Sequence, residues 1–257
     1  MCTLILLYNF LKDFPVIAVH NRYVPVGFRE EAPRVAIGRF KVYHPVDPLR
    51  GTWIGFNEKG LFAAVTDQRT LGAYRARYKS RGLLLIDILS SFSGVDEALN
   101  HLERELIRGE YKRGNFILAS SRRAYHVIHD ERMEVEPLSP GFHVVTSLMV
   151  REWMDREKIP QSLLRYVDMR RRRAVELVSR LEPTSIDDLI EKLKLIASDH
   201  GSEVGRGSIC YHSGGRWHMS SSTIVVVSNE LNRSRILYCR GNPCRGRFMD
   251  YSHIILN

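Results

Sequence analysis

The hydrophobic pattern of this chain changes period in blocks, and that block order restricts the fold more than any other feature. Residues Thr3–Tyr8 and Val16–Arg22 are apolar or β-branched and flank the polar turn Lys12-Asp13-Phe14-Pro15, which reads as a hairpin of buried strands. After a loop punctuated by Pro25, Pro33, Pro45 and Pro48, a second pair at 51–56 and 61–66 closes across Asn57–Gly60. The period then becomes helical over Leu83–Phe92 and Val95–Arg108, where Ser93 is the expected N-cap, Asp96 and Glu97 suit the first turn, and Gly109 marks the stop. Strands return at Asn115–Ser120, Ala124–His129, Met133–Pro137 and Phe142–Leu148. Two helices follow, at Pro160–Leu181 and from Ile186 to Ala197 behind a Thr184 or Ser185 cap. Strand-like segments at Ser208–His212, Thr223–Ser228 and Arg235–Cys239 close the chain. Strands, helices, strands, helices, strands make an α+β chain, and without a linker, repeat or low-complexity tract residues 1–257 are expected to form one domain.

A hydrophobic content of 44% over 257 residues supports a sizeable core. No run is long and apolar enough to span a membrane. The apolar start at Cys2-Thr3-Leu4 has no basic residue before it, so it does not read as a signal peptide, and the expected location is the cytoplasm. Charged residues are plentiful and Gln occurs only at Gln68 and Gln161, a bias that would suit a thermophile. The net charge of +9 raises the question of nucleic acid. The densest cationic run, Arg170-Arg171-Arg172-Arg173, lies within a helix, where successive side chains point all round the axis; it reads as a solvated, ion-paired surface, and nucleic acid is not the expected partner. Cys2, Cys210, Cys239 and Cys244 are too sparse for a disulfide scaffold. The spacing at 239–244 lacks companion ligands, and no grouping of the ten histidines has metal-ligand spacing, so neither a metal nor a cofactor is expected.

The chemistry concentrates at the start of the chain. Removal of Met1 would leave Cys2 with both a thiol and a free α-amine, and because such an amine titrates near ~8, a useful fraction is neutral and can accept the thiol proton. Met-Cys before an apolar strand, then Ala18-Val19-His20-Asn21-Arg22, Gly51-Thr52-Trp53-Ile54-Gly55, Ala63-Ala64-Val65-Thr66-Asp67 and Ser80-Arg81-Gly82, resembles in content and order the NRDE family, a group like transport and Golgi organization protein 2. A looser likeness continues through Gly114-Asn115-Phe116, Gly141–Leu148 and Ser220-Ser221-Ser222-Thr223. The resemblance implies an N-terminal-nucleophile fold: a four-layer α-β-β-α sandwich of two antiparallel sheets, as in the cysteine hydrolases that cleave linear amides, such as penicillin V acylase and bile-salt hydrolase. It implies that Cys2 is the nucleophile, with Asn21 and Arg22 beside it, Asp67 and Asn115 near the oxyanion, and Tyr23, Trp53 and Arg81 against the substrate. That substrate is a small-molecule amide or acyl compound, held between the loops Val24–Leu49 and Asp67–Lys79.

Three positions depart from the family pattern. Where the family reads Asn-Arg-Asp-Glu this chain reads Asn21-Arg22-Tyr23-Val24, so the carboxylate that would orient the cysteine amine is replaced by an uncharged phenol. Asp67 stands where an amide is usual, and Ser220 where an arginine is frequent. These departures motivate a second reading on the same fold, a non-catalytic carrier of lipid, acyl-CoA or haem.

Overall fold

The computed structural model describes residues 2–72, 78–201, 205, 207–212 and 215–256. Among these residues are two antiparallel sheets and four α-helices. The first sheet is built from β1 (Thr3–Leu11), β2 (Phe14–Pro25), β10 (Gly141–Thr146), β11 (Trp217–Val227), β12 (Arg235–Arg240) and β13 (Met249–Asp250), in the order β10-β1-β2-β11-β12-β13. The second runs β3-β4-β5-β6-β7-β8-β9, from β3 (Glu31–Ile37), β4 (Lys41–Val46), β5 (Ile54–Asn57), β6 (Phe62–Asp67), β7 (Gly114–Ala119), β8 (Ala124–His129) and β9 (Met133–Pro137).

Strand periodicity sorts the core. In β1, Leu4, Leu6 and Tyr8 enter the cluster shared with the second sheet, whereas Ile5 and Leu7 enter the one under the helices. Val16 and Ala18 of β2 go with the first group, Ile17 and Val19 with the second, and β11 divides likewise into Val225 and Val227 against Ile224 and Val226. Both faces of the first sheet are thus dry, which is why its strands read as continuous apolar runs. Helices α3 (Gln161–Val178) and α4 (Ile186–Ala197) cover its outer face, and α1 (Arg81–Ser91) and α2 (Val95–Ile107) cover the second sheet. The layers are those expected. No helix among the described residues is long and apolar enough to cross a membrane.

Several local expectations are corrected. The Pro-rich stretch after β2 is not all loop, since it forms β3 and β4. Pro33 sits at the register break of the edge strand β3, and Pro45 lies beyond the residues of β4 that pair with β5, so neither ring removes a needed ladder donor. Ser208–His212 is not a strand, because its backbone is held by side chains and by the end of α4: the Cys210 N–H donates to Asp199 O at 2.9 Å, and the Asn21 amide donates to Ile209 O at 3.1 Å. Helix α2 is capped by Gly94 and not Ser93, because Val95 already turns into the core and leaves a cap position without a side-chain oxygen. At α1 the cap is Ser80, whose hydroxyl accepts from Leu83 N at 3.2 Å, and at α4 it is Ser185.

Two glycines bring α1 against the turn before β5. A Cβ on Gly51 would lie 2.5 Å from the carbonyl carbon of Gly82, and one on Gly82 would lie 2.6 Å from Asp47 Oδ2. Thr52 N donates to Gly82 O at 3.1 Å across this contact. Only backbone fits between these segments, so the two glycine-bearing motifs meet at one place and set the helix start beside the cleft described next.

Candidate active site

Where the ends of β1, β2 and β6 meet the start of β11, the two sheets enclose a cleft of about 980 Å³. Six of the residues expected at a site line it: Cys2, Arg22, Tyr23, Trp53, Asp67 and Arg81. On β2, strand parity separates His20 and Arg22 from Asn21, while Tyr23, which has the parity of Asn21, reaches the cleft near the end of the strand. His20 and Arg22 continue the inter-sheet face of Val16 and Ala18, whereas Asn21 continues the face of Ile17 and Val19 towards the helices. Asn21 therefore does not line the cleft. Its amide donates to Ala197 O at 2.9 Å as well as to Ile209 O, and its carbonyl accepts from Ser222 Oγ at 2.7 Å, so it fastens β2 to the end of α4.

Cys2 precedes β1 and is a buried residue, 7% exposed, that borders the cleft. The Tyr23 amide donates to its sulfur at 3.5 Å, a contact that favours negative charge there. Arg22 beside it is a buried ion pair and not a surface one: Nη1 lies 2.5 Å from Glu30 Oε2, and its guanidinium stacks 3.7 Å from the Trp53 ring centroid. Tyr238 donates to the other Glu30 oxygen at 2.9 Å, so the carboxylate that holds Arg22 is itself held. His20 lines the same wall, and burial, aided by the Arg22 charge, pushes its pKa down to about 3, leaving it neutral.

Asp67 does not confront the cleft as a bare charge. Arg81 Nη2 lies 2.7 Å and Arg69 Nε 3.4 Å from its oxygens; burial alone would raise its pKa, but these guanidinium groups hold it well below the usual carboxylate range. Asn115 lies outside the cleft lining. Its amide donates to Asp67 O at 2.8 Å and Gln68 Oε1 at 3.1 Å, while its carbonyl faces His126 Nε2 at 3.2 Å. It orients the Asp67–Gln68 backbone. Ser220 donates to Arg22 O at 3.4 Å and also stays outside the lining.

Behind Tyr23 lies Arg170, which corrects the reading of 170–173 as a solvated run. Arg170 is fully buried, its Nε donates to Ser208 O at 2.6 Å, and its guanidinium carbon sits 6.0 Å from the Tyr23 ring centroid. Burial pushes its pKa down, opposed by Tyr23, Cys2 and Tyr211, and its guanidinium stands behind the Tyr23 ring. The signal was in the spacing, since Val167, Arg170, Ala174 and Val178 form the buried stripe of α3. Arg172 and Arg173 do pair at the surface, with Asp168 and with Asp199.

Tyr23 stacks on Tyr211 with ring centroids 5.5 Å apart, and its hydroxyl donates to Tyr211 O. Burial pushes this phenol well above its usual range, so it stays protonated. Tyr23, Arg69 and Trp217 border both the cleft and a second, largely apolar chamber of about 620 Å³, whose walls also include Leu71, Pro160, Leu163, Tyr166 and Tyr211. Part of the loop expected to close the site, 73–77, and Met1 lie outside the described residues.

The expectation that no metal ligands come together is also corrected. His200, Cys210, His212 and Cys244 converge with their ligand atoms all within 4.8 Å of one another. Spacing in the sequence hides this, because the four residues arrive from three separate segments. Cys239 is not among them, and all four cysteines are free thiols.

A family model described as Transport and Golgi organisation 2 matches residues 1–236. Among solved structures, the chain is similar to penicillin V acylase from Agrobacterium tumefaciens, with 13% identity, a TM-score of 0.59, and coverage of 99% of this chain and 88% of that one. It is similar to a variant of the conjugated bile acid hydrolase from Clostridium perfringens, with 12% identity, a TM-score of 0.53, and coverage of 98% and 96%. It is also similar to the Caenorhabditis elegans ortholog of N-acylethanolamine-hydrolyzing acid amidase, with 15% identity, a TM-score of 0.52, and coverage of 88% and 92%. No curated protein sequence matches it significantly.

Proposed function

The chain belongs to the Transport and Golgi organisation 2 family and has the N-terminal-nucleophile hydrolase fold, and from that premise we propose that it is a cysteine hydrolase opening a linear amide or thioester bond through Cys2. The observation that carries the reading is the place of Cys2: beside the first strand, at the wall of a cleft, with an amide directed at its sulfur and with Arg22, held by Glu30, on the same wall.

With Met1 removed, the Cys2 α-amine takes the thiol proton and the sulfur attacks the substrate carbonyl, forming a carbon–sulfur bond. The backbone amide of Asp67 is the donor assigned to the oxyanion. When the tetrahedral adduct collapses, the carbon–nitrogen or carbon–sulfur bond of the substrate breaks and the leaving group takes the proton from the α-ammonium. Water then attacks the thioester, giving its proton to the same amine, and the acid departs with the sulfur reprotonated. Arg22, fixed by Glu30 and Trp53, balances charge near the sulfur. The apolar chamber beyond Tyr23 suits an acyl chain, and the more polar cleft suits the other half of the molecule.

The test is mass spectrometry of the purified protein before and after an activated acyl ester. The expected result is a chain lacking Met1 that takes up one acyl group on Cys2 with a burst of leaving group, and a Cys2→Ala variant that takes up none. A retained Met1 or acylation unaffected by Cys2→Ala would overturn the proposal. The carrier reading is favoured by one specific observation, the size of the apolar chamber beside a site with three departures from the family pattern. A lipid or acyl compound that co-purifies and is never turned over would select it.

A further inference from the structure

The geometry points to a structural zinc site formed by His200, Cys210, His212 and Cys244, separate from the cleft and independent of the hydrolase reading. His200 lies just beyond α4, Cys210 and His212 alternate along the irregular stretch before β11, and Cys244 sits in the turn after β12. His212 Nε2 is 3.1 Å from His200 Nε2, 3.1 Å from Cys244 Sγ and 3.8 Å from Cys210 Sγ. One imidazole nitrogen holds at most one proton and can satisfy only one of these three neighbours by a hydrogen bond. A cation at the centre satisfies all of them.

The separations fit that cation. Tetrahedral zinc has bonds of about 2.3 Å to sulfur and about 2.0–2.1 Å to nitrogen, which places its ligand atoms about 3.3–3.8 Å apart. The distances here straddle that range, and all six fall within 4.8 Å. Two thiolates and two imidazoles with no carboxylate select a borderline-soft metal over calcium or magnesium, and four protein ligands leave no open position for catalysis. Outer contacts suit the assignment: Asn242 Nδ2 lies 3.6 Å from Cys210 Sγ, directing an N–H at a sulfur that would carry charge, and donates to Tyr211 O at 3.2 Å.

A metal here would tie α4, the 207–212 stretch and the β12 turn into one unit. That stretch presents Ser208 to Arg170 and Tyr211 to Tyr23, so the ion would brace the wall behind Cys2 without touching it.

The experiment is elemental analysis of the full chain purified with and without added zinc(II), followed by cobalt(II) substitution. The expected result is about one zinc per chain and cobalt spectra showing tetrahedral d–d bands with thiolate charge transfer. Cys244→Ser, at an exposed position, should lose both signals while keeping its far-UV circular dichroism. Chelation should lower the wild-type melting temperature, by on the order of several degrees, and leave Cys244→Ser unchanged. Free thiols with no zinc uptake, unaltered metal content in Cys244→Ser, or a Cys210–Cys244 disulfide in freshly purified protein would each overturn the site. Metal content is read without substrate, so its failure leaves the role of Cys2 untouched.

Discussion

Asp67 sits between Arg81 and Arg69 in a way that couples its charge to stability. Its folded pKa is depressed, so its contribution is fully present above the ordinary value of 3.8 and is lost as pH falls through the lower folded value. An Asp67→Asn variant should therefore be less stable than wild type near neutrality, with the gap narrowing in urea titrations carried below that value. Arg170 makes a different prediction. It puts a buried cation behind Tyr23 in electrostatic interaction with Cys2, and Arg170→Met should slow alkylation of Cys2 at neutral pH several-fold, read as the rate of iodoacetamide labelling. Of the residues expected at the site, Cys2, Arg22, Tyr23, Trp53, Asp67 and Arg81 reached the cleft. Asn21 did not, because alternation sends its side chain to the face opposite Arg22, and Asn115 did not, because its amide is taken up by Asp67 O and Gln68 Oε1. Glu30 was illegible for another reason: nothing local marks an acid eight residues after Arg22 as its partner until the chain folds back.

At the scale of elements, the block order and the helix-period runs were legible because burial on one stripe or one face leaves a periodic mark. The strands β3 and β4 were hidden by prolines that the edge position and the register break tolerate. The stretch 208–212 looked like a strand because it is apolar, yet its polar backbone groups are satisfied by Arg170, Asn21 and Asp199, which no window of sequence contains. The contact of α1 with the turn before β5 gives a sharp test. Gly82→Ala would drive a methyl into Asp47 and into the Thr52 carbonyl, 2.8 Å away, and should cost about 1–3 kcal/mol in equilibrium unfolding. Gly94→Ser, where nothing crowds the position and α2 lacks a capping side chain, should instead gain a few tenths of a kcal/mol, on the scale of about 0.3.

For the whole molecule, three histidines buried in or between the layers set its response to acid. Burial pushes His20 and His126 down to about 3 and His44 to about 4, so each stays neutral in the fold but takes a proton when unfolded below the ordinary value of 6.5. Their stabilisation is present above 6.5 and is lost progressively as pH falls towards those folded values. Each contributes about 1.4 kcal/mol per pH unit once well below 6.5. The urea midpoint should therefore drop steeply between pH 6 and 4 by roughly these proton uptakes, and His44→Phe should flatten the slope. Cys2 is the residue before a strand zipped on both sides, to β10 and to β2. Amide exchange should find β1 among the slowest segments and indifferent to ligand, with any quickening or slowing confined to the rim at 24–30 and 67–72. A molecule entering the cleft meets a sulfur bolted to the frame, and whatever accommodation it requires must come from the opposite lip.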